Sequence, residues 1–168
     1  MTPATALELE FADGQYLFDL KLPQLAELQE KRKAGVFAIY GRVMKGRYVL
    51  DGQPVAFSQD GEAFAEDLFE VIRLGLIGGG RGQVDGAEVV VSPLTATRLV
   101  QNYCHAAPLR ESWAVAAAIL GARIEGYDPG PKAEPAKAPA AEKRKRKTKS
   151  NSPASSPTAP SSAATGEN

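Results

Sequence analysis

The chain carries the stretch Glu70-Val-Ile-Arg-Leu-Gly-Leu-Ile-Gly-Gly-Gly-Arg81, an apolar run with one arginine that ends in three consecutive glycines. Apolar residues recur here at the intervals of three and four that are typical of one helix face: Ala65, Leu68, Ile72 and Leu76. The pattern predicts a helix over residues 62–77 that stops sharply at the glycines and is followed by a loop with almost no side chains. Gly75 inside this helix costs about 1 kcal/mol relative to alanine, which indicates that another backbone packs closely against it.

Alternating sequence near the start of the chain predicts a β-hairpin. Residues 7–11 and 16–20 place apolar side chains at every second position, so one face of each strand is expected to cover the core. Asp13 and Gly14 between the two runs favour a tight turn, because glycine tolerates the positive φ that such turns require.

Two helices are predicted between the hairpin and the glycine-terminated helix. The first covers residues 23–33, because Pro23 suits the first helical turn and Gly35 supplies a left-handed cap. The second covers residues 36–44, where apolar residues again recur at helical spacing, and it is expected to end before Gly46.

Two more helices are predicted after the glycines. Ser92 is a typical N-cap and Pro93 a typical first helical residue, so a helix is expected over residues 93–103. Its expected apolar residues are Leu94, Leu99 and Tyr103. Pro108 opens the last helix, in which apolar residues recur at helical intervals: Leu109, Trp113, Ala116, Leu120 and Ile124. The other positions of this helix are rich in alanine, which allows neighbouring helices to approach closely.

Two segments interrupt the helical pattern with strand-like sequence. Residues 47–58 predict a hairpin in which Pro54 confines its strand to an edge. Residues 83–91 predict either a further small hairpin or a single strand. The expected fold class is α+β and mainly α, with an N-terminal β-hairpin followed by about five short helices.

The composition changes sharply near residue 126. Residues 127–168 contain no Leu, Ile, Val, Phe or Trp, and they cannot bury enough apolar surface to offset the entropy of ordering them. We therefore expect one folded domain over residues 1–126 and a disordered tail rich in Pro, Ala and Ser over residues 127–168. Residues 1–125 hold 12 Lys and Arg against 16 Asp and Glu, whereas the remaining residues hold 8 against 4, so the tail is basic.

The sequence offers little catalytic or metal-binding chemistry. Cys104 is the single cysteine, and with His105 it lacks the second Cys or His pair that a zinc site needs. The glycines at 78–82 follow a helix and are not succeeded by Lys-Ser or Lys-Thr, unlike a phosphate-binding loop. Exposed charge, and not an acid–base pair, is expected of four acidic residues, the first, second and fourth of which share one helix edge: Glu62, Glu66, Asp67 and Glu70. We expect no cofactor, no metal and no enzymatic activity.

Two sets of basic residues remain candidates for contacts. Arg73 lies within an apolar run and is expected either to extend to solvent or to fix a carboxylate of a neighbouring element. The basic residues from Lys143 to Lys149 allow a weak contact with nucleic acid. No aromatic residue is interleaved with them, so a solvated tail is the alternative.

Targeting signals are not visible in the sequence. The first residues lack the basic and apolar regions of a signal peptide, and no apolar run reaches the roughly 20 residues that span a membrane. A cytoplasmic protein without membrane contact is expected.

The order of these signals along residues 7–126 resembles the phage and gene-transfer-agent family described as tail assembly chaperones, sometimes labelled tail tube proteins. The specific motif is Ile72-Arg73-Leu74-Gly75-Leu76-Ile77-Gly78-Gly79-Gly80. Weaker similarity is carried by further stretches: residues 11–18, 25–31, 35–40, 99–103, 108–109 and 117–120. Residues 47–58 and 82–91 depart from the family pattern as insertions, for which one small accessory sheet formed by both is an expectation.

The resemblance implies a non-enzymatic helper of virion morphogenesis that binds the tape measure protein and assists assembly of the tail tube protein. Phe69, Leu109 and Trp113 are the expected contacts in an alanine-rich groove, with a purely structural core role as the alternative. Self-association is a further partner hypothesis. Two other functions stay open: a structural tail component retained in the particle, and a nucleic-acid-binding accessory protein acting through the basic tail.

Overall fold

The computed structural model describes residues 4–45, 47–50, 53–57 and 61–127, and the side chains of residues 4–45 and 61–127. All of these residues belong to the compact unit Met1–Lys132. Three sequence-based predictions fall outside the described residues. They are the disorder of residues 128–168, the contacts of the basic segment from Lys143 to Lys149, and the role of Gly46 as a helix end.

The secondary structure follows the predicted class, α+β and mainly helical, and it begins with the N-terminal hairpin. The elements in chain order are β1 (Leu7–Phe11), β2 (Gly14–Phe18), α1 (Leu22–Arg32), α2 (Val36–Met44), β3 (Arg47–Leu50), β4 (Gln53–Phe57), α3 (Ala65–Gly79), β5 (Arg81–Val84), β6 (Ala87–Val90), α4 (Pro93–Leu99), a short π-helix (Val100–Cys104) and α5 (Leu109–Ile124). The bounds of α2 are those predicted.

The sheet topology corrects one prediction. β5 and β6 form a hairpin that joins the N-terminal hairpin in an antiparallel sheet of order β1-β2-β5-β6, whereas β3 and β4 pair separately. The two insertions therefore do not share an accessory sheet. The two hairpins can pair at this point because Gly82 has no side chain. A Cβ atom added at Gly82 would lie 2.4 Å from the Tyr16 ring. The hairpin predicted at residues 47–58 and the hairpin alternative for residues 83–91 are both confirmed.

The turn of the first hairpin also differs from expectation. The residue with positive φ is Ala12, at 56°, and not Gly14. Gly14 is needed for another reason, since a Cβ atom there would lie 2.3 Å from the carbonyl oxygen of Gln83 in β5. The predicted alternation is confirmed: Phe11, Tyr16 and Phe18 are buried on one face of the hairpin.

Helix α3 begins later and ends later than predicted. Its N-cap is Phe64, so Glu62 lies outside the helix, and Gly78 and Gly79 are its last helical residues. Gly80 is the left-handed cap, with a φ of 71°, and β5 follows at once without the predicted glycine loop. The helix continues through the glycines because β2 lies against them. Cβ atoms added at Gly78 and Gly79 would each lie 1.8 Å from a β2-side carbonyl oxygen, of Asp19 and Leu17.

Gly75 of α3 lies close to side chains and to the backbone of neighbouring elements. A Cβ atom there would lie 3.2 Å from Phe18 and 3.4 Å from Ile119. The backbone N–H of Asp19 donates to the Gly75 carbonyl oxygen at 2.9 Å, so the close backbone predicted at this glycine is present. Helix α3 is thus the centre of the fold, covered by β2 on one side and α5 on another.

Two helix ends differ from prediction. The left-handed cap of α1 is Lys33, with a φ of 49°, while Gly35 is the extended N-cap of α2. Ser92 and Pro93 begin α4 as predicted, with the Ser92 hydroxyl accepting from the Thr95 N–H at 3.1 Å. The helix predicted through residue 103 becomes π-helical at Val100.

Of the three apolar residues predicted for the helix over residues 93–103, only Leu99 is buried. Leu94 is 62% exposed and Tyr103 is also exposed. The buried residues of α4 and the π-helix are Ala96, Leu99, Val100 and Cys104. For Tyr103 the reason is the π-helix, whose wider turn shifts the residues after Leu99 relative to α-helical spacing. Leu94 lies five positions before Leu99 and therefore on a different side of α4.

The folded unit extends past the predicted boundary at residue 126. Tyr127 forms an antiparallel bridge with Ala4, with N-to-O distances of 3.0 and 3.1 Å. Its hydroxyl donates to the Ala6 carbonyl oxygen at 2.6 Å. Tyr127 therefore belongs to the body and fastens the end of α5 to the start of the sheet.

Candidate protein-binding groove

A buried carboxylate joins the first three helices of the chain. Asp67 of α3 is 0% exposed, so the exposure predicted for it was wrong. Its Oδ1 accepts from Arg32 Nε of α1 at 2.7 Å, and its Oδ2 accepts from Arg42 Nε of α2 at 3.1 Å. The Phe64 N–H also donates to Oδ2, at 3.3 Å. One buried charge is thereby satisfied by two arginines and a helix-start N–H.

Arg73 lies at the centre of a second ion-pair network. Its guanidinium donates to Glu70 Oε2 from Nε at 3.0 Å and from Nη2 at 2.9 Å, and it also binds Glu27 of α1. Lys31 approaches Glu27 and Glu70 at 3.2 and 3.5 Å. Of the two roles predicted for Arg73, the structure shows the fixing of a neighbouring carboxylate.

The network sets the protonation of its members. Burial alone would lower the pKa of Arg73, but hydrogen bonds from it to Glu70 and Glu27 raise that pKa above its ordinary value. The Arg73 hydrogen bond holds the pKa of the Glu27 carboxyl below its ordinary value, and Lys31 contributes. Both residues therefore stay charged near neutral pH and keep one wall of the groove in place.

The groove itself lies between α3 and the α4–π-helix segment. Its volume is about 340 Å³, and it is lined by Glu66, Phe69, Glu70, Arg73, Thr97, Val100, Gln101 and His105. The half-buried Phe69 and the buried Val100 give it an apolar floor. The His105 ring lies 4.7 Å from the Phe69 ring, tilted by 41°. The result is an open slot with an apolar centre and a charged rim.

The π-helix positions the far wall of the groove. The His105 N–H donates to the Val100 carbonyl oxygen at 3.2 Å. Donor and acceptor are five residues apart, as in a π-turn, and not four as in an α-helix. Cys104 is thereby buried while its neighbour His105 is exposed beside Phe69. Sequence reasoning missed this wall, because no local pattern distinguishes the extra residue of a π-turn from an α-helix.

The three predicted contact residues are not brought together. Phe69 lines the groove, whereas Leu109 is 52% exposed at the start of α5 and does not line it. Trp113 is only 8% exposed, and its indole N–H donates to the Val43 carbonyl oxygen at 2.8 Å. Trp113 therefore has the core role stated as the alternative, and the alanine-rich side of α5 serves packing against α3.

Reactive chemistry has few candidates in the described part of the chain. Burial raises the pKa of the Cys104 thiol, although a hydrogen bond with Ser112 opposes this. No group of three or more His, Cys, Asp or Glu side chains that could hold a metal occurs among the described residues. None of the described helices combines the length and the hydrophobicity needed to cross a bilayer.

Comparison with known proteins finds no matching family model, no matching curated protein and no matching solved structure. The groove combines two chemical features. It offers an apolar floor for anchoring and charged groups for orientation.

Proposed function

We propose that this chain is a tail assembly chaperone of a phage, prophage or gene transfer agent. In this proposal it is non-enzymatic, acts in the cytoplasm of the bacterial host, binds the tape measure protein and assists tail tube assembly. The observation that carries the proposal is the groove along α3, because Arg73 of the family-like motif forms part of its wall.

The shape of the groove suits a helical partner. A tape measure protein is a long, helix-rich chain whose apolar faces would aggregate until covered. A helix laid into an apolar groove anchors through residues spaced by three or four positions. Phe69 and Val100 supply the floor for such an anchor, and Leu94 lies one helical turn before Thr97 on the same side of α4.

The charges of the rim indicate the chemistry of the partner. Arg73 is neutralised by Glu70 and Glu27, whereas Glu66 is exposed and has no ion-pair partner among the described residues. The rim is therefore acidic on balance. We infer that the bound segment places Lys or Arg beside its apolar anchor.

Co-expression of the full chain with the tape measure protein of the same tail gene cluster tests this proposal. We expect the soluble yield of the tape measure protein to rise and the two proteins to copurify. An unchanged yield without copurification contradicts the proposal. Stoichiometric presence of the chain in purified particles, measured by mass spectrometry, would instead favour a retained structural component.

Two substitutions locate the binding surface. Phe69→Ala should weaken the complex about tenfold or more, because buried aromatic anchors dominate interface energies. Phe37→Ala is the matched control, since Phe37 is an exposed phenylalanine on α2 outside the groove. Glu66→Lys should also weaken binding without changing thermal unfolding, which separates lost contact from lost stability. Equal affinity of all three variants and the wild type would exclude this groove.

A further inference from the structure

Strand β6 is an edge of the four-stranded sheet, and its only protections are its length of four residues and the charge of Glu88. Among the described residues it pairs only with β5. Its sequence is Ala87-Glu88-Val89-Val90, and Val90 is 82% exposed. It contains none of the lysines, prolines or bulges that commonly block an edge strand.

The hydrogen-bonding pattern identifies the backbone groups at the free edge. The Val91 N–H donates to the Gly80 carbonyl oxygen at 2.9 Å, so Val91 bonds toward β5. In an antiparallel ladder, successive residues alternate between bonding to one side and the other. Val89 and Ala87 therefore also bond toward β5, while the N–H and C=O groups of Glu88 and Val90 point away from the sheet.

We propose that β6 pairs with β6 of a second copy of this chain, antiparallel and centred on Val89. Each Glu88 then lies opposite Val90 of the other copy, and each such pair exchanges two backbone hydrogen bonds. The two four-stranded sheets become one continuous sheet across a two-fold axis. This inference goes beyond the proposed function and does not depend on it.

The register follows from the charges and from the direction of the backbone groups. If the two-fold axis lay between two residues of β6, each outward-bonding residue would face an inward-bonding residue of the other copy. Its N–H donor would then have no acceptor. Centring on Glu88 would place two like charges directly opposite, which is destabilising. Centring on Val90 would pair Glu88 with Ser92, whose carbonyl oxygen already accepts from the Ala96 N–H of α4 at 2.9 Å. Centring on Val89 avoids all of these problems, since no carboxylate faces another.

The surrounding side chains complement this register. Arg81 of β5 lies beside Val90 on the exposed face of the sheet. Glu88 of the second copy would lie on the other side of that same Val90. Across the interface, each Val90 is thus flanked by a positive and a negative side chain from different copies, whereas Val89 meets its own equivalent on the core-side face.

Disulfide trapping with the full chain tests the register. At the two-fold axis, the Cα atoms of the paired Val89 positions are expected about 4.5 Å apart, within the roughly 4.4–6.8 Å that a disulfide bridges. Val89→Cys should therefore give a covalent dimer on mild oxidation. Glu88→Cys and Val90→Cys are matched controls whose equivalent positions lie out of reach, and the wild type controls for the buried Cys104. Equal cross-linking of the three variants would overturn the proposal.

A second measurement tests the role of the edge itself. Val90→Pro removes an outward N–H, a change that edge strands tolerate, and Val90→Thr keeps both the N–H and the β-branched shape. Sedimentation equilibrium should show dimers for the wild type and Val90→Thr, and monomers for Val90→Pro. A monomeric wild type at the highest soluble concentration, or a dimeric Val90→Pro variant, would rule out β6 pairing.

Discussion

The two faces of α3 meet their surroundings in opposite ways. The face carrying Gly75, Gly78 and Gly79 lies so close to β2 that Cβ atoms at the last two would overlap carbonyl oxygens at 1.8 Å. The face carrying Phe69 and Arg73 holds its neighbours apart with long side chains and leaves a groove of about 340 Å³. We call these the sheet face and the groove face.

The difference shows what the glycine motif means physically. Its glycines set the distance between helix and strand by having no side chains, which is a requirement of the fold. Arg73 is the residue of the same motif that reaches the groove. The glycines of the motif therefore reflect the helix–strand contact of the fold, and it is the groove face for which we propose a partner.

The most severe test of the sheet face is Gly79→Ala. The added methyl group would lie 1.8 Å from the Leu17 carbonyl oxygen, so the backbone of α3 or β2 must move. We expect a loss of about 4 kcal/mol or more in the free energy of unfolding, measured by urea denaturation.

Gly121→Ala is the matched control for this substitution. Gly121 is also helical, but no atom lies within 4 Å of an added Cβ. Alanine there should stabilise α5 by up to about 1 kcal/mol. Similar behaviour of the two variants would show that the close approach of β2 to α3 is not what requires glycine.

Asp67→Asn tests the buried charge at the helix junction, away from the sheet face. The amide keeps the shape of the side chain but leaves Arg32 and Arg42 without their shared negative charge. Removal of one partner from a buried ion pair leads us to expect a loss of about 3 kcal/mol in chemical denaturation. Asp85→Asn, at an exposed turn, should stay within about 0.5 kcal/mol of the wild type. A similarly small loss for Asp67→Asn would mean that water compensates both arginines when the charge of Asp67 is removed.

The parts of the fold that local sequence determines were predictable. The alternation of residues 7–11 gave β1, and the Ser92-Pro93 pair gave the start of α4. The burial of Asp67 was not predictable in this way. Its partners Arg32 and Arg42 are 35 and 25 positions away in the chain, so nothing near Asp67 distinguishes it from the exposed Glu66.

The groove was predictable only in part. Phe69 was a predicted contact and lines the groove. Trp113 is instead buried in the core, where the Val43 carbonyl oxygen satisfies its indole N–H. Helical periodicity predicts that an apolar residue faces a neighbour, and it does not say whether that neighbour belongs to the same chain. The position of His105 depends on the π-turn, for which the sequence carries no signal.

Gly80→Ala separates the third glycine of the motif from the two that contact β2. The nearest atom to an added Cβ is the Ile77 carbonyl oxygen at 3.8 Å, so space is available, but the φ of 71° is unfavourable for alanine. The expected cost is about 1 kcal/mol in the free energy of unfolding. Gly80→Asn should cost less, because asparagine adopts left-handed φ more readily. A cost at Gly80 as large as that at Gly79 would mean that crowding, and not conformation, limits this position as well.

Substitutions at the groove face should change the free energy of unfolding least. Glu27→Gln tests this, because it changes the α1 residue that pairs with Arg73 of that face. Hydrogen bonding by Arg73 lowers the pKa of the Glu27 carboxyl in the folded state. The stabilisation is therefore fully present above the ordinary glutamate pKa and is lost as the pH falls through the lower folded-state value. Glu27 is 42% exposed, so we expect a difference of less than about 1 kcal/mol between wild type and variant near pH 7, vanishing in acid. Denaturation curves recorded from pH 7 downward would show it, and a difference that grows toward low pH would contradict the pairing with Arg73.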